Sequence, residues 1–317
     1  MSSLSLRALL RHETILALLV VAAFAWLASQ SDRFLTVDNL LNQGRLMTEV
    51  GLIALVMTFV ILTGGIDLSV GSILGLSAIL TGVFWHNAGL PLPVAAALAV
   101  AAGTLAGAFN GVVIARFGVP PLIATLGTLA LYRGFAEGIS QARSVRGYPD
   151  WFFVLGQGEA LGVPVQLWLL GLGVVVTVFV LGWTTWGRAT YAIGNNETAA
   201  RFSGIDVDRV KLAIYTASGF SAALAGVIFV SRVSTTRSDM GTGIELDAIT
   251  AVVLGGTSIF GGRGTIVGTV LGLVLMQALK SGLSLAGVKG DGTIVVIGAV
   301  LVVTVLVSNL FRRDGNR

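Results

Sequence analysis

Apolar segments of membrane length follow one another along almost the whole chain, and they decide what it can fold into. About 20 residues of helix cross a bilayer. Ten segments approach that length, at roughly 14–30, 47–63, 68–85, 92–115, 120–139, 165–184, 211–231, 246–260, 265–285 and 292–311. Charged residues make up only 11% of the chain and apolar residues 55%. That leaves too little polar surface to cover a water-soluble globule, so the surrounding solvent is lipid. The expectation is an all-α integral membrane protein, a single transmembrane domain over 1–317, with about ten spanning helices. The first segment follows Arg7 and Arg11 as a signal peptide would, but nine more come after it, so it reads as an uncleaved first span.

With the N-terminus inside, an even number of spans returns the tail Phe311–Arg317 to the same side. The longest polar insert between spans, 187–211, falls on that side too. Its Arg188, Arg201, Arg209 and Lys211, with the basic tail, follow the positive-inside rule. The long outer loop carries Tyr148, Trp151, Phe152 and Phe153, read as an interfacial aromatic girdle or a short helix lying on the membrane. Arg143, Arg146, Arg232 and Arg237 share that face and are read as loop charge or as a docking surface for an acidic partner.

Several kinds of chemistry are excluded. The chain has no cysteine and two histidines, so thiolate and histidine metal clusters are ruled out. No Gly-x-x-x-x-Gly-Lys-[Ser/Thr] occurs, so the chain does not cradle nucleotide phosphates in the P-loop manner. No nucleophile stands in a pattern that suggests an enzyme, and the basic excess of four charges lacks the runs that nucleic acid requires. If transport is uphill, another subunit supplies the energy.

Glycines recur at small-xxx-small spacing, at Gly71/Gly75, Gly103/Gly107/Gly111, Gly134/Gly138 and Gly264/Gly268/Gly272, which predicts close helix crossings. Two stretches interrupt the helical pattern in a similar way: Gly64–Gly71 and Gly255–Gly262, both GGxx[LI]xxG. They suggest broken or re-entrant segments and a weak parallel internal repeat. Asp67 is the acidic residue deepest in apolar sequence. It either caps the following helix through the amide of Val70 or contacts cargo. Asn110, Thr125 and Thr128 either line a path or bond neighbouring helices.

The insert 187–211 reads as a short capped helix. Asn195 or Asn196 is the N-cap, Glu197 occupies the first turn, and Gly204 closes the C-terminus. It is either an ordinary solvated loop or a small rigid knob on which a soluble partner pushes.

Four stretches in order, 62–78 (LTGGIDLSVGSILGLSA), 117–134 (FGVPPLIATLGTLALYRG), 187–211 (GRATYAIGNNETAARFSGIDVDRVK) and 248–272 (AITAVVLGGTSIFGGRGTIVGTVLG), resemble the permease subunits of bacterial ABC sugar importers. That family includes ribose, xylose, arabinose, rhamnose and autoinducer-2 permeases. The resemblance implies a monosaccharide importer in the bacterial inner membrane, multi-pass, with both termini cytoplasmic. It implies a second permease subunit of the same or a different chain, a cytoplasmic ABC ATPase that carries ATP and magnesium, and a periplasmic sugar-binding protein. This chain would hold no cofactor and bind no nucleic acid. Asn195, Asn196, Glu197, Ala200, Arg201, Ser203 and Gly204 fall on the family's ATPase-coupling segment. Gly64, Gly65, Asp67 and Ser69 fall on its translocation core, to which Asn110, Thr125 and Thr257 are added as expectations. Segment 234–256 looks more like the rhamnose and autoinducer-2 type, so rhamnose is the first expected cargo, with autoinducer-2 or a pentose as the alternative. The rival from another class is a secondary carrier or channel that needs no ATPase, with Asp67 as its one candidate ion-coupling group.

Overall fold

The apolar run expected to begin at residue 47 is already helical ten residues earlier. Thr36 turns its hydroxyl onto the amide of Asn39 and starts α2, Val37–Leu62. This is seen in a computed structural model, which describes residues 12–288 and isolated positions as far as 302. Before α2 comes α1, His12–Gln30. After it, residues 63–69 are irregular, and a short α3, Val70–Gly82, continues into a π-turn, Val83–Asn87. Next are α4, Leu92–Ala115, and α5, Pro121–Ser140, each entered through a proline that suits the first turn. The outer loop holds a 3₁₀ turn, Asp150–Phe153, and one turn of helix, α6, Val154–Gln157. A two-residue hairpin follows, β1 Glu159–Ala160 against β2 Val163–Pro164, and with a single antiparallel bridge between Arg146 and Thr235 it departs from an all-helical chain.

The second half runs α7, Val165–Trp183; α8, Thr185–Asn195; α9, Glu197–Phe202; α10, Val207–Val233; α11, Ile244–Leu254; and α12, Ile266–Leu285. Among the described residues, seven helices are long and apolar enough to cross a bilayer: α1, α2, α3 with its π-turn, α4, α7, α10 and α12. The all-helical membrane architecture with broken segments is therefore as expected, and the three expected spans outside these seven each differ from a plain apolar helix or lie beyond the described residues. Helix α5 has the length, yet Arg133 and Glu137 interrupt its apolar surface. The eighth expected span, 246–260, is a half-helix that stops at Leu254 and continues as irregular chain through Gly255–Thr265. The tenth, 292–311, lies largely outside the described residues.

Helix α10 is the axis, wrapped by α2, α3 and α4. Two of the four glycine series, Gly103/Gly107/Gly111 and Gly264/Gly268/Gly272, make the close crossings their spacing predicts, while Gly71 and Gly75 let the 238–241 loop approach α3. A Cβ on Gly107 of α4 would stand 2.3 Å from the Tyr215 carbonyl, and one on Gly268 of α12 would stand 2.1 Å from the Gly255 carbonyl. In lipid such backbone contact, not water exclusion, holds helices together. Gly134 and Gly138 are the correction, since neither has an atom within 4 Å of its added Cβ, so α5 does not use them as an internal seam. The outer-loop aromatics also differ from expectation. Tyr148 and Phe152 are buried in a stack, Tyr148 on Trp85 at 4.6 Å and Phe152 on Tyr148 at 5.3 Å between centroids, and so are packed inside the bundle end instead of lying on a membrane surface. Trp151 alone of that set is largely exposed.

Candidate coupling and transport site

Two asparagines were candidates for the cap of the polar insert, and the geometry assigns them different tasks. Asn196 is the N-cap of α9, in extended conformation, with its Oδ1 accepting the amide of Ala199 at 2.9 Å. Asn195 ends α8 and turns its side chain back to the Tyr191 carbonyl. At the other end Gly204 takes a positive φ of 83°, its amide reaching the Arg201 carbonyl and that of Ile205 reaching Ala200. This paired return is the glycine-closed helix end that the sequence anticipated. Ala200 is the buried residue of α9, and the Ser203 hydroxyl donates to Ala199.

Charge then ties α9 to the base of α10. Glu197 pairs with Arg201 at 3.1 Å and with Lys211 at 2.6 Å, and Arg201 also pairs with Asp208 at 2.6 Å. Burial alone would push the Glu197 carboxyl up, but the Lys211 and Arg201 pairs outweigh it and hold the group below its ordinary 4.5. A carboxylate lowered in this way stabilises the clamp above pH 4.5, and its contribution is lost as pH falls through the lowered value. Hydrogen exchange of the α9 amides is therefore expected to accelerate as the pH falls below 4.5, relative to those in the middle of α10 and after correction for intrinsic rates. Unchanged relative protection there would remove the clamp.

The insert is joined to the membrane core through α8. A Cβ on Gly194 would lie 1.8 Å from the Leu62 carbonyl and 2.4 Å from the Gly262 amide. Across that contact the Gly262 amide donates to Leu62 at 2.9 Å, and the Tyr191 hydroxyl donates to the Gly264 carbonyl at 2.7 Å. So the two glycine-interrupted stretches meet each other, and α8 sits on both. They are not copies in detail: the first follows a long helix and precedes a short one, whereas the second reverses that order.

Above this junction Asp67 is fully buried. Its Oδ1 accepts the amide of Ser69 at 3.0 Å and the Ser69 hydroxyl at 2.6 Å, and its Oδ2 accepts Ser218 at 2.8 Å. It thus braces the entry to α3, but through Ser69 and not through the expected Val70 amide. Asn110 donates to the Ser69 hydroxyl at 2.8 Å, and Thr125 donates to the Ile66 carbonyl at 3.1 Å. Gly64 has a φ of 77°, and a Cβ on Gly65 would meet the Tyr215 hydroxyl at 2.4 Å. Asp67, Ser69, Asn110 and Thr125 therefore gather around the first break. Thr257 lies in the second break and is not bonded to them; its buried hydroxyl has no partner among the described residues.

A cavity of about 950 Å³ lies toward the bundle end opposite α9. Sequence reasoning missed it. Its walls are helical stripes: Asn39, Asn42, Gln43, Leu46, Glu49 and Val50 on α2, and Gln277, Lys280, Ser281, Ser284 and Leu285 on α12. The spacings i, i+3, i+4, i+7 place each set on one face. Phe229 and Arg232 of α10 and the 235–242 loop complete it. Glu49, 2% exposed, pairs with Arg232 at 2.7 Å, so that arginine is not free loop charge. Lys280 pairs with Asp247 and Arg237 with Asp239, each at 2.6 Å. Among the described residues, no group of three or more His, Asp or Glu side chains is placed to hold a metal.

Residues 39–305 match the family model described as branched-chain amino acid transport system / permease component. The ribose import permease protein RbsC of Escherichia coli (strain K12) is 40% identical over 306 residues, covering 95% of this chain and 94% of that protein. RbsC of Bacillus subtilis (strain 168) is 44% identical, covering 86% and 85%. The autoinducer 2 import system permease protein LsrD of Enterobacter sp. (strain 638) is 36% identical, covering 94% and 92%. No solved structure matches the chain. These relatives carry ribose and autoinducer-2 names, and they correct the first expectation of rhamnose.

Proposed function

This chain belongs to the branched-chain amino acid transport system permease-component family, and from that membership we propose that it is the membrane subunit of an ATP-driven importer of a monosaccharide, ribose or a sugar close to it. The observation that carries the importer reading is the junction at Gly194. A capped, ion-paired helix with Phe202 90% exposed at its tip is joined through backbone contact to both helix breaks. Such a unit transmits a displacement, where a loose loop would absorb it.

In this reading α9 faces the cytoplasm and docks on a separate ATPase, which holds ATP and magnesium. Phe202 and the charged face of Arg201 are the contact. Closure of the ATPase pair moves α8, and α8 moves the two breaks. A second permease subunit, identical or different, faces this one across the path. A periplasmic binding protein delivers the sugar at the end opposite α9. The chain lies in the bacterial inner membrane with both termini cytoplasmic. Autoinducer-2 is the second cargo reading, supported by the LsrD likeness along nearly the whole chain. The secondary-carrier reading has less support at its one candidate, since both Asp67 oxygens already accept protein donors.

Affinity purification from native membranes in mild detergent is expected to bring down an ATPase with a P-loop, and the assembled complex is expected to take up labelled D-ribose when ATP is supplied. Recovery of the chain alone, under conditions that preserve a known importer complex, would overturn the reading.

A further inference from the structure

The cavity opposite α9 takes no part in the path from α9 to the helix breaks, yet its lining is rich in charged and amide side chains. We propose that it is a binding site for a neutral monosaccharide held within one subunit, with Gln43, Glu49 and Gln277 taking the sugar hydroxyls. The inference rests on the sugar-import reading for its ligand class.

The first support is charge. The lining carries three acids and three bases, and all six are in the pairs Glu49–Arg232, Arg237–Asp239 and Asp247–Lys280. A phosphate or a carboxylate entering the cavity finds no spare cation among the described residues. To bind one, a pair must open and strand its other member, which is most unfavourable for the nearly buried Glu49. A ligand without net charge makes no such demand.

The second support is unmet hydrogen bonding. Gln43 and Glu49 are 6% and 2% exposed, and Gln43 Nε2 and Glu49 Oε2 lack partners among the described residues. One is a donor and the other an acceptor. A hydroxyl both donates and accepts, so a polyol satisfies both with the same kind of group. Buried polar atoms are ordinarily partnered; these two lie closed off just behind the cavity wall, on side chains that line it, and would have to turn toward a ligand there to be satisfied.

The third support is that the acceptor is held in place. The Arg232 Nε bond fixes Glu49 Oε1, and the guanidinium itself sits over the Phe229 ring at 4.7 Å. Glu49 therefore does not have to be ordered when a ligand arrives. Leu46, Val50 and Phe229 line the same space and suit the C–H face of a sugar ring. At about 950 Å³ the cavity also leaves room for bridging water beside a single sugar.

Saturation-transfer NMR on the purified full-length protein in lipid nanodiscs tests this without the ATPase, using D-ribose, D-ribose 5-phosphate and L-leucine as probes. Transfer to ribose is expected, with none to the phosphate or the amino acid. Gln277→Leu and Gln43→Leu are each expected to weaken ribose binding at least about tenfold, as loss of a buried hydrogen bond does. Glu49→Gln keeps the shape and the Arg232 contact, and it guards against a leucine variant that fails to fold; it is expected to bind ribose more weakly than the parent. Equal transfer in all three variants, no transfer to any probe in the parent protein, or equal binding of the phosphate overturns the inference. If the assembled complex still imports ribose in that case, the importer reading stands and only the site is lost. If the complex imports no sugar, the function itself is wrong.

Discussion

Gly194→Ala is expected to disconnect ATP hydrolysis from uptake. In a helix interior alanine is favoured over glycine by about 1 kcal/mol, so propensity alone predicts a gain. Here the new methyl would sit 1.8 Å from the Leu62 carbonyl, a backbone atom that cannot rotate away. Overpacking of this kind costs about 1–3 kcal/mol and wins. The change forces α8 off the two breaks and weakens the Gly262–Leu62 bond, while the outer face of α9 stays as it was. The complex should therefore assemble and hydrolyse ATP. If as little as about 1.4 kcal/mol of the strain falls on the moving step, uptake drops tenfold. Gly204→Ala is the control, for its added Cβ meets open space and only the positive φ opposes it. Its effect on uptake should be much smaller. Normal uptake by Gly194→Ala at normal membrane level would show that force does not travel through α8.

Arg232→Met is expected to be the most destabilising single change outside the junction, at about 3–5 kcal/mol, because it leaves the Glu49 charge buried without its partner. The double change with Glu49→Gln should recover most of the loss, since an uncharged amide in the same place needs far less compensation. Unfolding of the purified protein in detergent, followed by near-ultraviolet circular dichroism, reads both. If single and double variants unfold alike, the pair contributes nothing through its coupling, and the arginine acts only by its packing on Phe229.

The polar insert was legible because its chemistry is local. An asparagine before Glu197 and a glycine after Ser203 fix both ends of α9 within ten residues, and the paired charges lie inside the same stretch. The burial of Asp67 was legible from its apolar neighbours, but its partners were not. Ser218 is 151 residues away and Asn110 lies 41 residues from Ser69, so only the folded chain brings them together. The cavity was missed for a different reason. A hydropathy window enters α2 at residue 47 and discards Asn39, Asn42 and Gln43 as loop, although they share a helical face with Glu49 and follow a capping threonine. Reading that stripe together with Gln277, Lys280, Ser281 and Ser284 would have located two of its walls. Glycine spacing was an incomplete guide: Gly134/Gly138 has the same period as Gly103/Gly107, yet only the second pair meets another helix, and spacing says nothing about the opposite surface.

The bond between Leu62 and Gly262 also orders events during synthesis. Its two halves lie two hundred residues apart, and Thr58 and Thr269 are separated by 211. While the ribosome is still adding the later helices, α8 has only one of its two seats, so the α9 face proposed to meet the ATPase is not yet backed by the second break. A chain released early, before residue 262 emerges, would enter the bilayer and yet present a knob that cannot transmit work. Completion of translation therefore acts as a checkpoint: the docking face becomes mechanically competent only once nearly the entire polypeptide has been made.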